Sequence, residues 1–310
     1  MVQIPTLRQL EYLVAIADLG SFHRAARACG VSQPGLSAQI RQLEMLLDLR
    51  LLERDRRRVL LTAAGEELVR RARAVLAEAR GLVETASALQ RPLCGTLRLG
   101  VIPTVAPYLL PRALPRVRRR HSELRLRLRE AQTGDLVAAL ERGELDVLLL
   151  ALEAPLGDLE TLALFRDPFH VALPAGHPLA RRRRVSEHDL SGESVLLLDD
   201  GHCLRAQALA VCRDAGAEEQ SDFRATSLGT LIEMVCGGAG ITLLPELALP
   251  SETRRRGLAV VPFAKPEPHR TIGLAWRPSS GRAAEFALLA EAIFPTSEDS
   301  RRTRTRSNSR

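Results

Sequence analysis

The chain has 310 residues, 45% hydrophobic and 26% charged, which fits an ordinary soluble protein with two or three domains. Its net charge of +7 leans toward polyanions, but the terminal stretch SEDSRRTRTRSNSR holds five arginines against two acids, so much of that excess sits in a tail. No apolar run spans a bilayer, no signal-peptide layout opens MVQIPTLRQLEYL, and the five cysteines show no zinc-ligand spacing; the expectation is a cytoplasmic protein with no membrane contact, metal or cofactor.

In chain order, LRQLEYLVAIADL (residues 7 to 19) places Leu7, Leu10, Val14 and Ala17 at helical spacing. Gly20 ends that pattern, and Ser21 can cap a second helix, FHRAARACG. Ser32 then caps a third helix running to about Leu47, with Pro34 tolerated in its first turn. Leu36, Ile40 and Leu43 share one face, while Gln33, Ser37, Gln39 and Arg41 read as an opposite face suited to base edges and phosphates. Short helices joined by a tight turn, with small Ala25 and Ala26 at the crossing, describe a helix-turn-helix or a plain helical hairpin. From Ala63 to Leu89 a long helix carries Leu68, Ala72, Val75, Ala79, Leu82, Ala86 and Leu89 at alternating steps of four and three. A single buried helix could show the same stripe, but the sustained heptad seam favours a helix that dimerises.

Pro92 and Gly95 mark a linker, after which strands and helices alternate: TLRLGVI, PYLLPRALPRVRRRH, LRLRLREA, a helix about Leu136 to Arg142, and LDVLLLAL. A second set follows, with strands at FHVALP and SVLLLD, then FRATSLGTLIEMVCGGAGITLLP and a return through KPEPHRTIGLAW. The pattern predicts an α/β fold with mainly parallel sheets. Gly201 breaks the strand before it, so Cys203 falls in the first turn of helix LRAQALAV, where the helix dipole favours a thiolate. Asp199 and Asp200 oppose this unless they point away. No GxSxG elbow, P-loop or GxGxxG turn is present.

The string FHRAARACGVSQPGLSAQIRQLE, followed by LLERDRRRVLLTAAGEEL, resembles the winged helix-turn-helix of LysR-type regulators. The resemblance implies a winged module over residues 5–62, a dimerisation helix over 63–91, and a two-lobed, periplasmic-binding-protein-like effector domain. Its subdomain I would take residues 92–166 and 271–296, its subdomain II residues 167–270, with a disordered basic tail over 297–310. It implies double-stranded operator DNA as partner, met by Arg8, Ser32, Gln33, Pro34, Ser37, Gln39, Arg41 and Arg54. Arg54 to Arg58 would form the wing, and Thr62 would cap the following helix. Gly35 stands where Thr is usual, and Asp48 where Gly is usual.

DDGHCLRAQALAVCRDAGA, with GVIPTVAPYLLP, EAQT, ATSLGTL, GGAGITLLP and KPEPHRTIGL, resembles the peroxide-sensing OxyR branch of that family. By that resemblance Cys203 reacts with hydrogen peroxide to a sulfenic acid, which condenses with Cys212. By the same resemblance Arg270 and His202 add donors around the thiolate, and Thr104 and Thr133 help hold and polarise the peroxide. A homodimer or homotetramer would then change transcription of antioxidant genes through RNA polymerase, without being an enzyme. Two other readings stand beside it. One is a LysR-type regulator sensing a small metabolite between its lobes, and the other is a thiol peroxidase, which leaves the winged helix and the heptads unexplained. Ala206 occupies a position where relatives carry an acid, and Cys29, Cys94 and Cys236 read as small buried structural thiols.

Overall fold

Helix α1 (Leu7–Leu19) starts at a capping box between Thr6 and Gln9 and stops at Gly20, which is left-handed at φ 59°. The computed structural model describes residues 4–54 and 59–294; wing residues 55–58 and the tail from 295 onward lie outside the described residues. Two units divide the chain, one formed by the segment up to Gln90 and the other by most of the chain from Arg91.

In the first unit, α2 (Phe22–Ala28) is capped by Ser21, and α3 (Gln33–Leu47) by Ser32, whose hydroxyl accepts the Gly35 N–H at 3.3 Å. Asp48 ends α3 in a left-handed turn, a conformation that Asp tolerates better than most residues. The short strands β1 (Leu52–Arg54) and β2 (Val59–Leu61) pair antiparallel. Glu44 on α3 accepts the N–H groups of Leu51 and Leu52, fixing how the chain leaves the third helix for β1. Thr62 then caps α4 (Ala63–Gln90), its hydroxyl accepting the Gly65 N–H at 3.0 Å. Leu36, Ile40 and Leu43 are buried as their spacing predicts. The face of α1 differs from expectation. Tyr12, Leu13 and Ile16 are buried, Leu10, Val14 and Ala17 are half-covered, and Leu7 is exposed. The reason is that α1 packs against α2, α3 and α4 together, so its buried strip is broader than one period can register.

The second unit begins with β3 (Gly95–Val101), α5 (Ala106–Arg120), β4 (Leu124–Glu130), α6 (Thr133–Glu141) and β5 (Val147–Ala151). It continues through the long strand β6 (Glu160–Pro174), then β7 (Ser194–Leu198), α7 (Cys203–Ala215), β8 (Glu218–Ala225), α8 (Leu228–Cys236) and β9 (Thr242–Pro245). The short helix α9 (Leu249–Glu252), β10 (Leu258–Pro262), β11 (His269–Trp276) and α10 (Ala283–Ile293) close it. Parallel pairing joins β3 to β4 and β5, and β7 to β8. The expectation of mainly parallel sheets needs correction, because β6 pairs antiparallel with β9, β10 and β11, and β11 pairs antiparallel with β5. The strands β6 and β11 run side by side through both halves of the unit, and two chain segments crossing in opposite senses must pair antiparallel.

Two separate cores flank this crossing. One gathers Leu97, Leu99, Leu149, Phe286 and Leu289; the other gathers Val195, Leu197, Leu204, Ile232 and Leu244. No helix among the described residues is long and apolar enough to cross a membrane.

Candidate redox site and DNA-reading helix

Three positions singled out in the sequence lie just past the carboxyl ends of parallel strands: Thr104 after β3, Thr133 after β4 and Cys203 after β7. This is the edge where open α/β sheets place their ligands. Gly201, at φ +88°, is required there for two reasons. The conformation is left-handed, and an added Cβ would fall 2.0 Å from Gln132 Oε1. Gln132 Nε2 donates to the Asp200 carbonyl at 3.1 Å, which sets the turn before Cys203 against the start of α6.

Cys203 is the first residue of α7 and half-buried, and it packs against the first core. Cys212 lies in the same unbroken helix but belongs to the second core, beside Leu204, Ala208 and Val211. The structure therefore does not bring the two thiols together. Nine residues of α-helix separate them by about 13 Å along the axis, whereas a disulfide needs Cα atoms within about 7 Å.

Arg270 on β11 is fully buried, and its Cα partner across the crossing is Asp167 on β6, also buried. Arg270 Nε donates to Asp167 Oδ2 at 2.9 Å, Nη1 to Thr104 Oγ1 at 2.8 Å, and Nη2 to the Thr104 carbonyl at 3.1 Å. Most donors of Arg270 are thus used within the protein, in a buried ion pair with Asp167 and on Thr104. Removing one partner of such a buried pair costs about 3–5 kcal/mol. Thr133 Oγ1 is buried and has no hydrogen-bond partner among the described residues, so it is available to a ligand. His202 is buried at the cap position of α7. Burial holds its pKa below the usual imidazole value, with Asp199 opposing, so the neutral ring is favoured.

Of the two acids before Cys203, Asp200 is partly compensated. Asp200 pairs with Arg205 at 2.9 Å and Arg224 at 2.7 Å, and Arg205 also reaches Glu219 at 2.7 Å. This network ties the first turn of α7 to β8. Sequence reasoning missed Asp167, Arg205 and Arg224. The one available signal was an acid, Asp167, at the head of the apolar strand FHVALP. Cys29, Cys94 and Cys236 are half-covered rather than buried, and Cys94 Sγ donates to Glu123 Oε2 at 3.1 Å.

Burial pushes the Cys212 thiol up to about 11. A raised thiol pKa favours the native state below the ordinary value of 9.0, and that contribution is lost as pH climbs from 9.0 through about 11. At neutral pH about one Cys212 in 10,000 is thiolate, against a few per cent for a free thiol. In Cys203→Ser, alkylation of native Cys212 by iodoacetamide should run about 100-fold slower than in urea. It should also rise about tenfold per pH unit to pH 10. Equal rates in native and unfolded protein would contradict the buried placement.

In the first unit Arg8, Ser32, Gln33, Pro34 and Arg41 are exposed and Ser37 is half-buried, while Arg54 closes β1. Gln39 departs from its expected face. It lies on the flank of the buried stripe, and its Oε1 accepts from Gln9 Nε2 at 3.3 Å, because position 39 follows Gln33 by 600° of helical turn.

Both units match known families. Residues 7–66 match the family described as bacterial regulatory helix-turn-helix protein, lysR family, and residues 90–295 match the LysR substrate binding domain. The DNA-binding transcriptional dual regulator OxyR of Escherichia coli is 50% identical over 287 residues, spanning 93% of this chain and 94% of that protein. The chain belongs to the LysR family, in its OxyR branch. Among solved structures it is similar to a full-length OxyR cysteine variant from Pseudomonas aeruginosa, with TM-score 0.76 and 37% identity, covering 95% of this chain and 96% of that one. It is also similar to a hydrogen-peroxide-bound OxyR mutant from Corynebacterium glutamicum, with TM-score 0.65 and 37% identity, covering 94% and 92%. A helix-turn-helix of the LysR family is a DNA-binding module, so the first unit is the part of the chain that binds DNA.

Proposed function

We propose that this LysR-family chain is a peroxide-responsive transcription regulator whose signal is read by Cys203 and Cys212. The observation that carries this reading is the placement of the two thiols. One heads α7 and packs against the first core, past the same carboxyl strand ends as Thr104 and Thr133, and the other, in the same helix, is held in the second core. The Cys203 thiolate attacks one peroxide oxygen. The S–O bond forms as the O–O bond breaks, sulfur loses two electrons, and the departing oxygen leaves as hydroxide and takes a proton to become water. The sulfenic acid then condenses with the Cys212 thiol, releasing a second water and leaving a disulfide. Thr104 and Thr133 supply hydroxyls to the oxidant, His202 lines its approach, and Arg270 acts through Thr104. Each chain is oxidised once per signal, so it is a sensor rather than an enzyme.

In the same reading residues 5–62 bind promoter operators, with Arg54 and its wing neighbours on phosphates and Gln33 and Ser37 toward bases. Residues 63–91 dimerise the protein. Residues 92–166 with 271–296, and 167–270, form the two lobes of the sensor. The protein works in the cytoplasm as a homodimer or homotetramer and reports to RNA polymerase. DNA footprints of wild type and Cys203→Ser, each with and without one equivalent of hydrogen peroxide, test the whole. A footprint that shifts only in wild type is expected. A peroxide-indifferent wild-type footprint points to a metabolite sensor, and sustained peroxide turnover with excess reductant points to a thiol peroxidase.

A further inference from the structure

We infer that Asp167 is a positioning residue for the peroxide reaction: it holds Arg270 in the one orientation that turns the Thr104 hydroxyl hydrogen toward the oxidant. The inference rests on the peroxide reading above.

Thr104 Oγ1 is already an acceptor, taking a hydrogen bond from Arg270 Nη1 at 2.8 Å, and its carbonyl accepts another from Nη2. A hydroxyl that accepts from a cation keeps its own hydrogen for a different partner, and no described residue takes it. Thr104 thus presents to a ligand as a donor, strengthened by the charge behind it. That arrangement depends on where the guanidinium plane lies. Arg270 is fully buried, and the carboxylate that fixes its plane is Asp167, reached by both Nε and Nη2 at 2.9 Å. Asp167 is itself over-determined: its Cα is in register with that of Arg270 across β6 and β11, and its other oxygen accepts the Leu247 N–H at 2.8 Å. The chain Leu247–Asp167–Arg270–Thr104 is therefore a rigid support whose last atom is a donor. As the O–O bond breaks, negative charge gathers on the departing oxygen, and a pre-aimed donor lowers that barrier.

The test is the second-order rate of Cys203 sulfenic acid formation in full-length protein, read by stopped flow with hydrogen peroxide. Alkylation of the same thiol by iodoacetamide serves as the pocket-independent reference. Asp167→Asn should slow the peroxide reaction about 10- to 100-fold while leaving alkylation within about twofold. In a Thr104→Val background the same Asp167→Asn change should have no further effect, since Asp167 acts through that hydroxyl. If Asp167→Asn fails to fold, the paired apolar replacement Asp167→Leu with Arg270→Met removes both charges together, and it should match Thr104→Val in its peroxide rate. Three results would overturn the inference: an unchanged peroxide rate in Asp167→Asn, an equal slowing of both reactions, or full additivity with Thr104→Val. A wild type that does not react with peroxide at all would overturn the underlying reading instead.

Discussion

Amide exchange across residues 203–216 is expected to accelerate by orders of magnitude when one equivalent of peroxide closes the Cys203–Cys212 bond. The helix α7 is continuous from Cys203 to Ala215, and helix geometry keeps the two thiols about 13 Å apart along its axis. A disulfide cannot form across that gap, so the reduced helix and the bond exclude one another. The cheapest change unwinds α7 from Cys203 to Val211, because LRAQALAV is anchored at its start by the Asp200, Arg205 and Arg224 ion pairs, which are partly exposed and individually weak. Unwinding withdraws Leu204 and Val211 from the second core, at about 1.5–3 kcal/mol each. A total near 5 kcal/mol makes the disulfide about 100 mV more oxidising than an unstrained one. Cys203→Ser should stay in the reduced DNA-binding mode, and Cys212→Ser should form a sulfenic acid yet respond only transiently. Exchange mass spectrometry with parallel footprints decides the matter. A disulfide formed without any change in exchange or footprint would sink this mechanism.

The second large effect is expected on α4. Val75 and Leu82 are 47% and 75% exposed in the single chain, and Val83 is 69% exposed, an apolar face wasted on water unless another copy covers it. Ala72, a seam position by its spacing, is already buried within the chain, so the open part of the seam begins at Val75. Glu at positions 75 and 82 costs the isolated chain almost nothing, because both sites are solvated, but a dimer would have to bury four carboxylates face to face. The Val75→Glu, Leu82→Glu double variant should be monomeric by sedimentation and should lose operator affinity at least about 100-fold. The reason is that two recognition helices acting together gain that much from effective concentration. Its far-ultraviolet spectrum and its Cys203 reaction with peroxide should be unchanged. Retained dimers with full affinity would place the interface elsewhere.

What could be read from residues alone was everything set by local chemistry. Gly20, Ser32, Asp48, Thr62 and Gly201 each start or stop an element through their own backbone or hydroxyl, so their roles are visible without knowing the neighbours. The apolar spacing of α3 and the open stretch of the α4 seam were equally legible, since a helix period needs only the helix. The family strings carried Cys203, Cys212, Thr104 and Thr133. Other features depend on partners far away in the chain. The broad buried strip of α1 exists because three helices press on it, and the partner that Gln39 meets on its flank is Gln9, 30 positions away. The antiparallel crossing of β6 and β11 joins segments about 100 residues apart, and it alone places Asp167 beside Arg270. A charge in a strand looks the same in sequence whether it faces water or a buried guanidinium. Only the tertiary fold, by removing water from both groups at once, made Asp167 and Arg270 a pair and Thr104 their output.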